Sequence, residues 1–308
     1  MTTSSAQAPL RGVWTAILTP LEADGRIAYD LLAAHCRSLF AKGVDGVTLF
    51  GTTGEGQSFS VAERKEALEQ LLAAGIPAAR VTVGTGCSAL AETAELSRHA
   101  AAFGVAGVLV LPPFFFKGLS DEGVYDAFAR LCEMLKGVRT RMILYHIPQV
   151  SAVAVSPAVV ARLAKSFPGL IGGVKDSSGD WENTALLLKL APDLAIMVGH
   201  EPYLPRLLKA GGVGTICGIA NYRPDLIRRL FDAAGKPEEA GLVSVVEKVC
   251  NLVTDVPFVP ALKALMVEQT GEKRWLNVRA PLTIPDAAEQ RRLISAAKTL
   301  EAEVQAAA

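Results

Sequence analysis

The sequence predicts an α/β fold, a (β/α)8 TIM barrel with a C-terminal all-helical extension. Short β-branched runs alternate eight times with longer segments whose apolar residues recur at helical spacing. These units fill about 225 residues, close to the length that such a barrel requires. A doubly wound open sheet is the alternative, but no Gly-x-Gly-x-x-Gly motif follows the first strand. The count, the length and the missing motif favour the barrel.

The predicted elements begin at residue 13 and alternate along the chain. The strand candidates are short apolar runs at residues 13–18, 46–50, 80–84, 107–111, 142–146, 170–175, 195–198 and 213–219. The helix candidates are amphipathic segments at residues 31–41, 60–74, 89–103, 122–135, 157–165, 181–191, 202–209 and 224–234. Ser60 with Glu63 matches a capping box, and Ser88, Asp121 and Ser156 stand just before other helix starts.

A Gly-Lys-Pro break at residues 235–237 ends the alternating pattern. Three more helical segments follow, at residues 237–256, 259–270 and 287–307. A barrel does not need them, so we predict a barrel domain at residues 1–236 that carries the active site, and a helical extension at residues 237–308. Residues 281–285 are interpreted as an extended connection, and the tail at residues 302–308 as a weakly specified end.

Composition and charge exclude several classes of protein. The 31 basic and 31 acidic residues give a net charge of zero, so no electrostatic footprint for nucleic acid or an anionic membrane is expected. No apolar run reaches the roughly 18 residues that span a bilayer, and residues 1–9 lack the pattern of a signal peptide. Five scattered cysteines predict reduced thiols in a cytoplasmic protein: Cys36, Cys87, Cys132, Cys217 and Cys250.

Lys175 is the first candidate for chemistry. It closes the apolar and glycine-rich run that begins at Ile171, and a polar Ser/Gly turn follows it. A strand of a parallel barrel is buried on both faces, and burying an ammonium there is costly unless it is paired or neutral. The neutral amine is the form that a Schiff-base nucleophile needs. Taken alone, the pattern also fits a strand-end lysine that reaches the surface.

Other candidates stand at the carboxyl ends of strands, where barrels of this type place their active sites. Residues 51–56 supply glycines for a tight turn and the hydroxyls of Thr52 and Thr53, which suit a small carboxylate, although the loop equally fits an ordinary turn. Tyr145 ends strand five, next to the strand of Lys175, and a phenol there suits proton transfer. Because adjacent strand residues face opposite sides, we expect His146 to face the helices.

His200 ends strand seven and is a candidate substrate contact, with Glu201 as its companion in the same loop. His35 and His99 lie inside helical patterns, where packing or surface roles are expected. No histidine and carboxylate cluster has metal-ligand spacing, so the sequence predicts no metal.

Three motifs, in this order, carry a resemblance to a known family. They are Gly51-Thr52-Thr53-Gly54-Glu55, Leu144-Tyr145-x-x-Pro148 and Gly173-Val174-Lys175-Asp176-x-Ser178-Gly179-Asp180. Over nearly its whole length the chain resembles the class I pyruvate-dependent aldolase superfamily, which contains dihydrodipicolinate synthase, N-acetylneuraminate lyase and 2-keto-3-deoxygluconate aldolase. We identify it as a divergent dihydrodipicolinate synthase-like member.

The resemblance implies roles for five residues. Lys175 would form a Schiff base with the 2-oxo carbon of pyruvate or another 2-oxo acid, and Tyr145 would be the acid and base at the reacting centre. Thr52 and Thr53 would bind the substrate carboxylate, and Gly51, which opens their loop, is a further substrate-binding candidate. These roles match the chemistry in which a protonated imine serves as an electron sink for an enamine.

The resemblance also implies that Ile216 lines the pyruvate pocket through its backbone and that Gly199 keeps the pocket mouth open. It implies no metal and no organic cofactor. The expected partners are a small 2-oxo acid, an aldehyde or sugar-acid substrate, and further copies of this chain in a dimer or a tetramer of two tight dimers.

Two positions depart from the family pattern. Dihydrodipicolinate synthases have an arginine for the second substrate's carboxylate five residues beyond the active-site tyrosine, and here that position is Val150. The family tyrosine that reaches into the neighbouring subunit's site aligns with Phe116. The ring is kept while the hydroxyl and the charged clamp are lost, so both are candidate specificity determinants.

The predicted function is therefore a Schiff-base lyase or aldolase that acts on pyruvate or a related 2-oxo acid, by aldol cleavage or condensation or by dehydration of a 2-oxo sugar acid. One alternative is a dihydrodipicolinate synthase with an altered second-substrate pocket. Another is a 2-oxo-acid-binding protein with impaired catalysis.

Overall fold

Eight parallel strands pair in sequence order and close into a barrel. The structure is a computed structural model that describes residues 10–253 and 256–306. In chain order the strands β1 to β8 are Gly12–Ala16, Gly46–Leu49, Val81–Gly84, Gly107–Val110, Met142–His146, Ile171–Asp176, Ala195–Val198 and Gly214–Cys217. The pairing of β1 with β8 completes the barrel. The predicted (β/α)8 fold is thereby confirmed.

Twelve α-helices occur within the described residues. In chain order α1 to α12 are Tyr29–Ala41, Val61–Ala73, Leu90–Ala102, Asp121–Met134, Pro148–Ser151, Pro157–Ser166, Trp181–Leu190, Leu204–Lys209, Pro224–Asp232, Glu239–Asn251, Phe258–Thr270 and Ala287–Ala306. The predicted caps at Ser60 and Ser156 are confirmed, and Ser60 forms a full capping box with Glu63. Ser88 is not a cap, because the cap position of α3 is Ala89.

Two layers of buried side chains hold the barrel together. The larger layer lies between the outer strand faces and the helices, and includes Val47, Val108 and Leu144. The smaller layer fills the barrel interior, with Trp14, Leu109, Ile143, Tyr145, Met197 and Ile216 among its members. Because strand residues alternate between the two layers, most strands are apolar on both faces, although β2 and β3 turn the hydrogen-bonded Thr48 and Thr82 inward. This is why the strands stand out in the sequence as continuous apolar runs.

Strand β8 is shorter than the predicted run of residues 213–219. It ends at Cys217, and a short 3₁₀ turn, Ile219–Asn221, follows. The Asn221 amide donates to the carbonyls of Ala16 and Gly218, both at 2.8 Å. Sequence apolarity extends beyond the strand because the turn is also buried, so periodicity alone does not mark this end.

The segments after residue 237 are helical, as predicted, and α11 packs against the 3₁₀ segment Lys273–Leu276 and against α12. Residues 282–286 contain neither helix nor strand, in keeping with the predicted connection. Helix α12 continues to Ala306, so the tail is helical that far. The domain boundary at residues 236 and 237 stays a prediction. Three stretches lie outside the described residues: 1–9, 254–255 and 307–308. They include parts of the predicted barrel domain and of the predicted helical segments 237–256 and 287–307.

None of the described helices is both long and apolar enough to cross a membrane. All five cysteines are thiols outside any disulfide bond, and four of them are buried.

Candidate active site

Lys175 lies near the end of β6, with its side chain in the barrel interior and only 4% exposed. The strand register places it beside Tyr145 of β5 and Met197 of β7. Its Nζ donates to Tyr145 Oη at 3.2 Å and lies 4.2 Å from the centre of the tyrosine ring. The parallel register therefore brings together the lysine and the phenol that stand apart in the sequence.

Thr52 extends this pair into a chain of three polar groups. Its Oγ1 lies 3.3 Å from Tyr145 Oη, so the phenol has a hydroxyl on one side and the lysine amine on the other. Thr53 is buried beside the end of β8, where a Cβ added to Gly218 would lie 3.0 Å from Thr53 Oγ1. A hydroxyl that contacts both partners of a proton transfer can pass a proton between them.

The loop of residues 51–56 is held in a tight and unusual conformation. Phe50 and Glu55, which flank its turn, both have positive φ angles, 54° and 55°. The carbonyl of Phe50 lies so close to Gly56 and Gly84 that an added Cβ would approach its oxygen to 2.1 Å and 2.3 Å. The backbone N–H groups of residues 54–56 are used inside the loop itself. The threonine positions are therefore its available donors for a ligand.

A buried ion pair fixes this loop from the helical extension, and the sequence reading missed it. Glu55 bonds the ammonium of Lys263 in α11, and both side chains are fully buried. The same ammonium donates to the Asn277 carbonyl at 2.7 Å, and Glu55 also accepts from the backbone N–H of Arg279 at 3.1 Å. Burial lowers the pKa of Lys263, and the charge of Glu55 opposes that effect. The available signal in the sequence was the carboxylate of Glu55 between two glycines of a turn, but the sequence pattern does not indicate its partner.

Gly199 lies close to the lysine and Ile216 lies in the barrel interior, while the pocket roles that the resemblance implies for them stay predictions. A Cβ added to Gly199 would approach Ser177 Oγ to 1.9 Å and Lys175 Cε to 3.1 Å. Any larger residue would therefore crowd the lysine stem. Ile216 is fully buried and packs in the interior layer with Tyr145. A larger side chain at position 199 would narrow the lysine end of the barrel.

A cavity of about 410 Å³ opens at the carboxyl ends of the strands and is bordered by Tyr145 and Thr52. Its other walls come from the loops after β2, β3, β4 and β5 and from the connection before α12: Phe50, Gly51, Glu55, Gly56, Gln57, Ser58, Gly84, Gly86, Leu109, Leu111, Phe114, Val150, Ser151, Pro281 and Leu282. A larger hollow of about 470 Å³ lies at the amino ends of β5 and β6, the opposite face of the barrel. Barrel active sites form at the carboxyl ends, so the first cavity is the candidate site.

Three comparisons with known proteins agree with this geometry. The sequence model of the dihydrodipicolinate synthetase family matches residues 9–300. The chain belongs to this family. It is 38% identical over 274 residues, 88% of this chain and 91% of the relative, to an uncharacterized DapA-like lyase of Chloroflexus aurantiacus. It is 30% identical over 287 residues, 92% of this chain and 94% of the relative, to 4-hydroxy-tetrahydrodipicolinate synthase of Thermus thermophilus.

Solved structures of the dihydrodipicolinate synthetase family share the fold. The crystal structure of dihydrodipicolinate synthase from Agrobacterium tumefaciens superposes with a TM-score of 0.86 at 36% identity, over 94% of this chain and 99% of that one. YagE, an E. coli K12 prophage protein crystallised in complex with pyruvate, superposes with a TM-score of 0.87 at 25% identity, over 95% and 99% of the two chains. The predicted family membership is confirmed, and the protein is a lyase of this family.

The two positions that depart from the dihydrodipicolinate synthase pattern lie on the outer side of the cavity. Val150, in the short helix α5, lines the cavity and is 60% exposed. Phe116 is 72% exposed, packs edge-on against Phe115 with the ring centres 5.2 Å apart, and is not among the lining residues of the described cavity. Val150 can therefore meet a second substrate within one chain, while Phe116 points elsewhere.

His200 and Glu201 take positions beside the site. The His200 ring packs against Tyr203 with centres 4.6 Å apart and does not line the described cavity, so its contact with substrate stays a prediction. Glu201 is buried and accepts from the Ile219 N–H at 3.2 Å. Burial raises the pKa of the Glu201 carboxyl, and nearby backbone donors oppose that shift.

His146 faces away from the barrel interior, as its alternation with Tyr145 predicts. Its Nδ1 accepts from the Val155 N–H at 3.0 Å, and burial lowers its pKa. The neighbouring Asp176 turns the same way and accepts from Thr184 and from the backbone and side chain of Ser178. These bonds set the turn that follows Lys175. No group of three or more His, Cys, Asp or Glu side chains is placed to hold a metal ion in the described part of the chain.

Proposed function

We propose that this lyase works through a Schiff base between Lys175 and the 2-oxo carbon of pyruvate or a related 2-oxo acid. The observation that carries the proposal is the chain from Lys175 Nζ through Tyr145 Oη to Thr52 Oγ1, with links of 3.2 Å and 3.3 Å. Two members of this chain, Tyr145 and Thr52, line the cavity at the carboxyl ends of the strands, and the buried amine of Lys175 contacts Tyr145 from the barrel interior. The pyruvate complex of YagE, a protein of similar fold, supports the choice of 2-oxo acid.

In the first half-reaction Lys175 adds to the 2-oxo carbon and water leaves. Tyr145 gives a proton to the carbonyl oxygen as the carbinolamine forms, takes back the proton that the Lys175 nitrogen releases, and then protonates the hydroxyl that departs as water. The hydroxyls of Thr52 and Thr53 hold the carboxylate of the 2-oxo acid. Loss of a proton from the methyl carbon of the resulting iminium ion then gives the enamine.

In the second half-reaction the enamine carbon attacks the carbonyl carbon of an aldehyde. The new carbon–carbon bond forms as the carbonyl oxygen takes a proton and becomes a hydroxyl. Water then hydrolyses the imine, which releases a 4-hydroxy-2-oxo acid and restores Lys175. Cleavage is the same sequence run backwards, and no oxidant or reductant is needed in either direction.

The assembly is also a proposal. The exposed rings of Phe115 and Phe116 lie on the rim of the barrel and would be covered in a homo-oligomer, a dimer or tetramer, as the resemblance implies. A ring from a neighbouring chain would then approach the mouth of the cavity, and the hydroxyl of the family tyrosine would be absent from it.

The test is borohydride reduction of the protein mixed with pyruvate, followed by peptide mass mapping. A reduced pyruvate adduct is expected on Lys175, and Lys175→Met, which keeps an apolar stem of similar length, should give none. Reduction without pyruvate is the blank. Adduct on any other lysine in place of Lys175, or equal labelling of Lys175→Met, would contradict the mechanism. An adduct without turnover of any aldehyde would instead favour the 2-oxo-acid-binding alternative.

A further inference from the structure

The outer wall of the candidate cavity is apolar. Besides Phe50 of the β2 side, six of its lining side chains are hydrocarbon: Leu109, Leu111, Phe114, Val150, Pro281 and Leu282. They come from β4 and the loop after it, from α5, and from the connection before α12. A second substrate that reacts beside Lys175 has to place its remaining atoms against this wall.

Three of the polar side chains that border the cavity already have partners in the protein. The amide of Gln57 donates to the Gly86 carbonyl at 2.8 Å. The hydroxyl of Ser151 donates to the carbonyls of Ile147 and Val153, at 3.1 Å and 2.9 Å. The carboxylate of Glu55 is occupied by Lys263, as described above. Beyond Thr52 and Tyr145, few groups are placed to replace the water around a hydroxylated substrate.

No lysine or arginine is among the lining residues of this cavity in the described chain. Lys117 is a cation close to the wall, but its ammonium is bound to the carbonyls of Phe114 and Ser151. Arg279 donates to the carbonyls of Ser58 and Gly25 and pairs with Glu63. A carboxylate placed against Val150 would gain no ion pair from the lining residues of the described cavity.

We infer that the second substrate is a neutral aldehyde with an aromatic or branched aliphatic group. The inference rests on the proposed Schiff-base function and adds the chemical class of the partner. The enamine attacks the aldehyde carbon, the aldehyde oxygen becomes the hydroxyl of the product, and the apolar group lies against Val150, Leu111 and Phe114. A volume of about 410 Å³ accommodates a three-carbon acid and a six-membered ring together. Sugar acids and aldehydes that carry a carboxylate are the disfavoured classes.

The test compares four aldehydes with pyruvate: benzaldehyde, 3-methylbutanal, glyceraldehyde and aspartate semialdehyde. We expect kcat/KM for the first two to exceed that for the last two by about tenfold or more, since each buried methylene adds about fourfold. The variants Val150→Arg and Val150→Met differ mainly in charge at matched length. Only Val150→Arg should raise the relative turnover of aspartate semialdehyde, by about tenfold.

The outcomes separate this inference from the proposed function. If the borohydride adduct forms on Lys175 but glyceraldehyde or aspartate semialdehyde is the best partner, the apolar class is overturned while the Schiff base stands. If Lys117→Gln selectively removes turnover of aspartate semialdehyde, a cation that the structure places outside the site serves the substrate, and the inference also fails. An adduct-forming enzyme that uses none of the four aldehydes counts against it as well. Absence of the adduct overturns the proposed function first.

Discussion

The two sides of the candidate cavity are built differently. The β2 side, residues 50–56, is mostly polar, has positive φ angles at Phe50 and Glu55, and is tied to α11 by the buried pair of Glu55 and Lys263. The opposite side, from the loop after β4 and the helix α5, is apolar and exposes Phe115, Phe116 and Val150. The first side carries Thr52, whose hydroxyl contacts Tyr145, the proposed proton-transfer group. Binding an aldehyde's side group requires only complementary surface, so the second side can be soft and open.

The largest expected effect comes from Tyr145→Phe, because the Tyr145 hydroxyl contacts Thr52 of the polar side. Removing the hydroxyl between Lys175 and Thr52 should slow exchange of the pyruvate methyl protons with D₂O by about 10²- to 10⁴-fold, the usual contribution of a positioned acid or base. The exchange, followed by proton NMR, reports enamine formation without an aldehyde. Tyr125→Phe, whose hydroxyl contacts Ser166 on the outer surface, is the matched control and should leave exchange unchanged. Equal rates for the two variants would remove Tyr145 from the mechanism.

Next in size is the loss of the ion pair that anchors the polar side. Glu55→Gln and Lys263→Met should each lower the free energy of unfolding by about 3–5 kcal/mol, because each leaves a buried charge without its partner. The double variant should recover much of that loss. Urea titration measures all three. Glu122→Gln, which breaks an exposed pair with Arg162, should cost less than about 1 kcal/mol. Equal small losses at both pairs would mean that the β2 side is no firmer than the surface.

A smaller effect is expected from pH, through a buried histidine that contacts the turn after β8. His35 Nε2 lies 3.0 Å from Asn221 Oδ1, and burial lowers the pKa of His35 from 6.5 to about 4. As the pH falls, His35 takes up a proton in the unfolded chain before it does so in the folded one. The free energy of unfolding therefore decreases as the pH falls from 6.5 toward 4. Between pH 7 and pH 5 the loss should be about 2 kcal/mol.

The measurement is the free energy of unfolding at both pH values, for the native protein and for His35→Gln. The variant cannot take up that proton, so its loss between pH 7 and pH 5 should be smaller by about the same 2 kcal/mol. Other groups titrate equally in both proteins and cancel in the difference. An identical pH dependence would show that His35 is protonated in the folded state as readily as in the unfolded one.

The smallest effect is expected on the apolar side, from Phe116→Tyr. The Phe116 ring is 72% exposed, so an added hydroxyl meets water and should change the free energy of unfolding by less than about 0.5 kcal/mol. Urea titration of the variant beside the native protein checks this. A decrease in the free energy of unfolding above 1 kcal/mol would mean that the ring is buried, as in an assembly. The comparison of the two sides would then have to include the neighbouring chain.

The barrel and the chemical end of the site were predictable from the sequence. Strands that are buried on both faces are necessarily continuous apolar runs, and their eightfold alternation with amphipathic helices has few other solutions. Lys175 stood out because a cation closing such a run is costly, and Tyr145 because it ends the neighbouring strand. These inferences need only the order of elements and the parity of strand residues.

Only the tertiary structure decided how the loops meet around that chemistry. The pairing of Glu55 with Lys263 joins residues 208 positions apart, and Leu282 reaches the cavity from a connection with no periodic pattern. Neither strand parity nor helical spacing constrains such contacts, because they depend on how the extension packs across the barrel mouth. The sequence by itself predicted which strand ends carry the proposed reaction. The packing of loops and extension decided that one wall is mostly polar while the other is apolar and open, and hence which aldehyde we propose for the site.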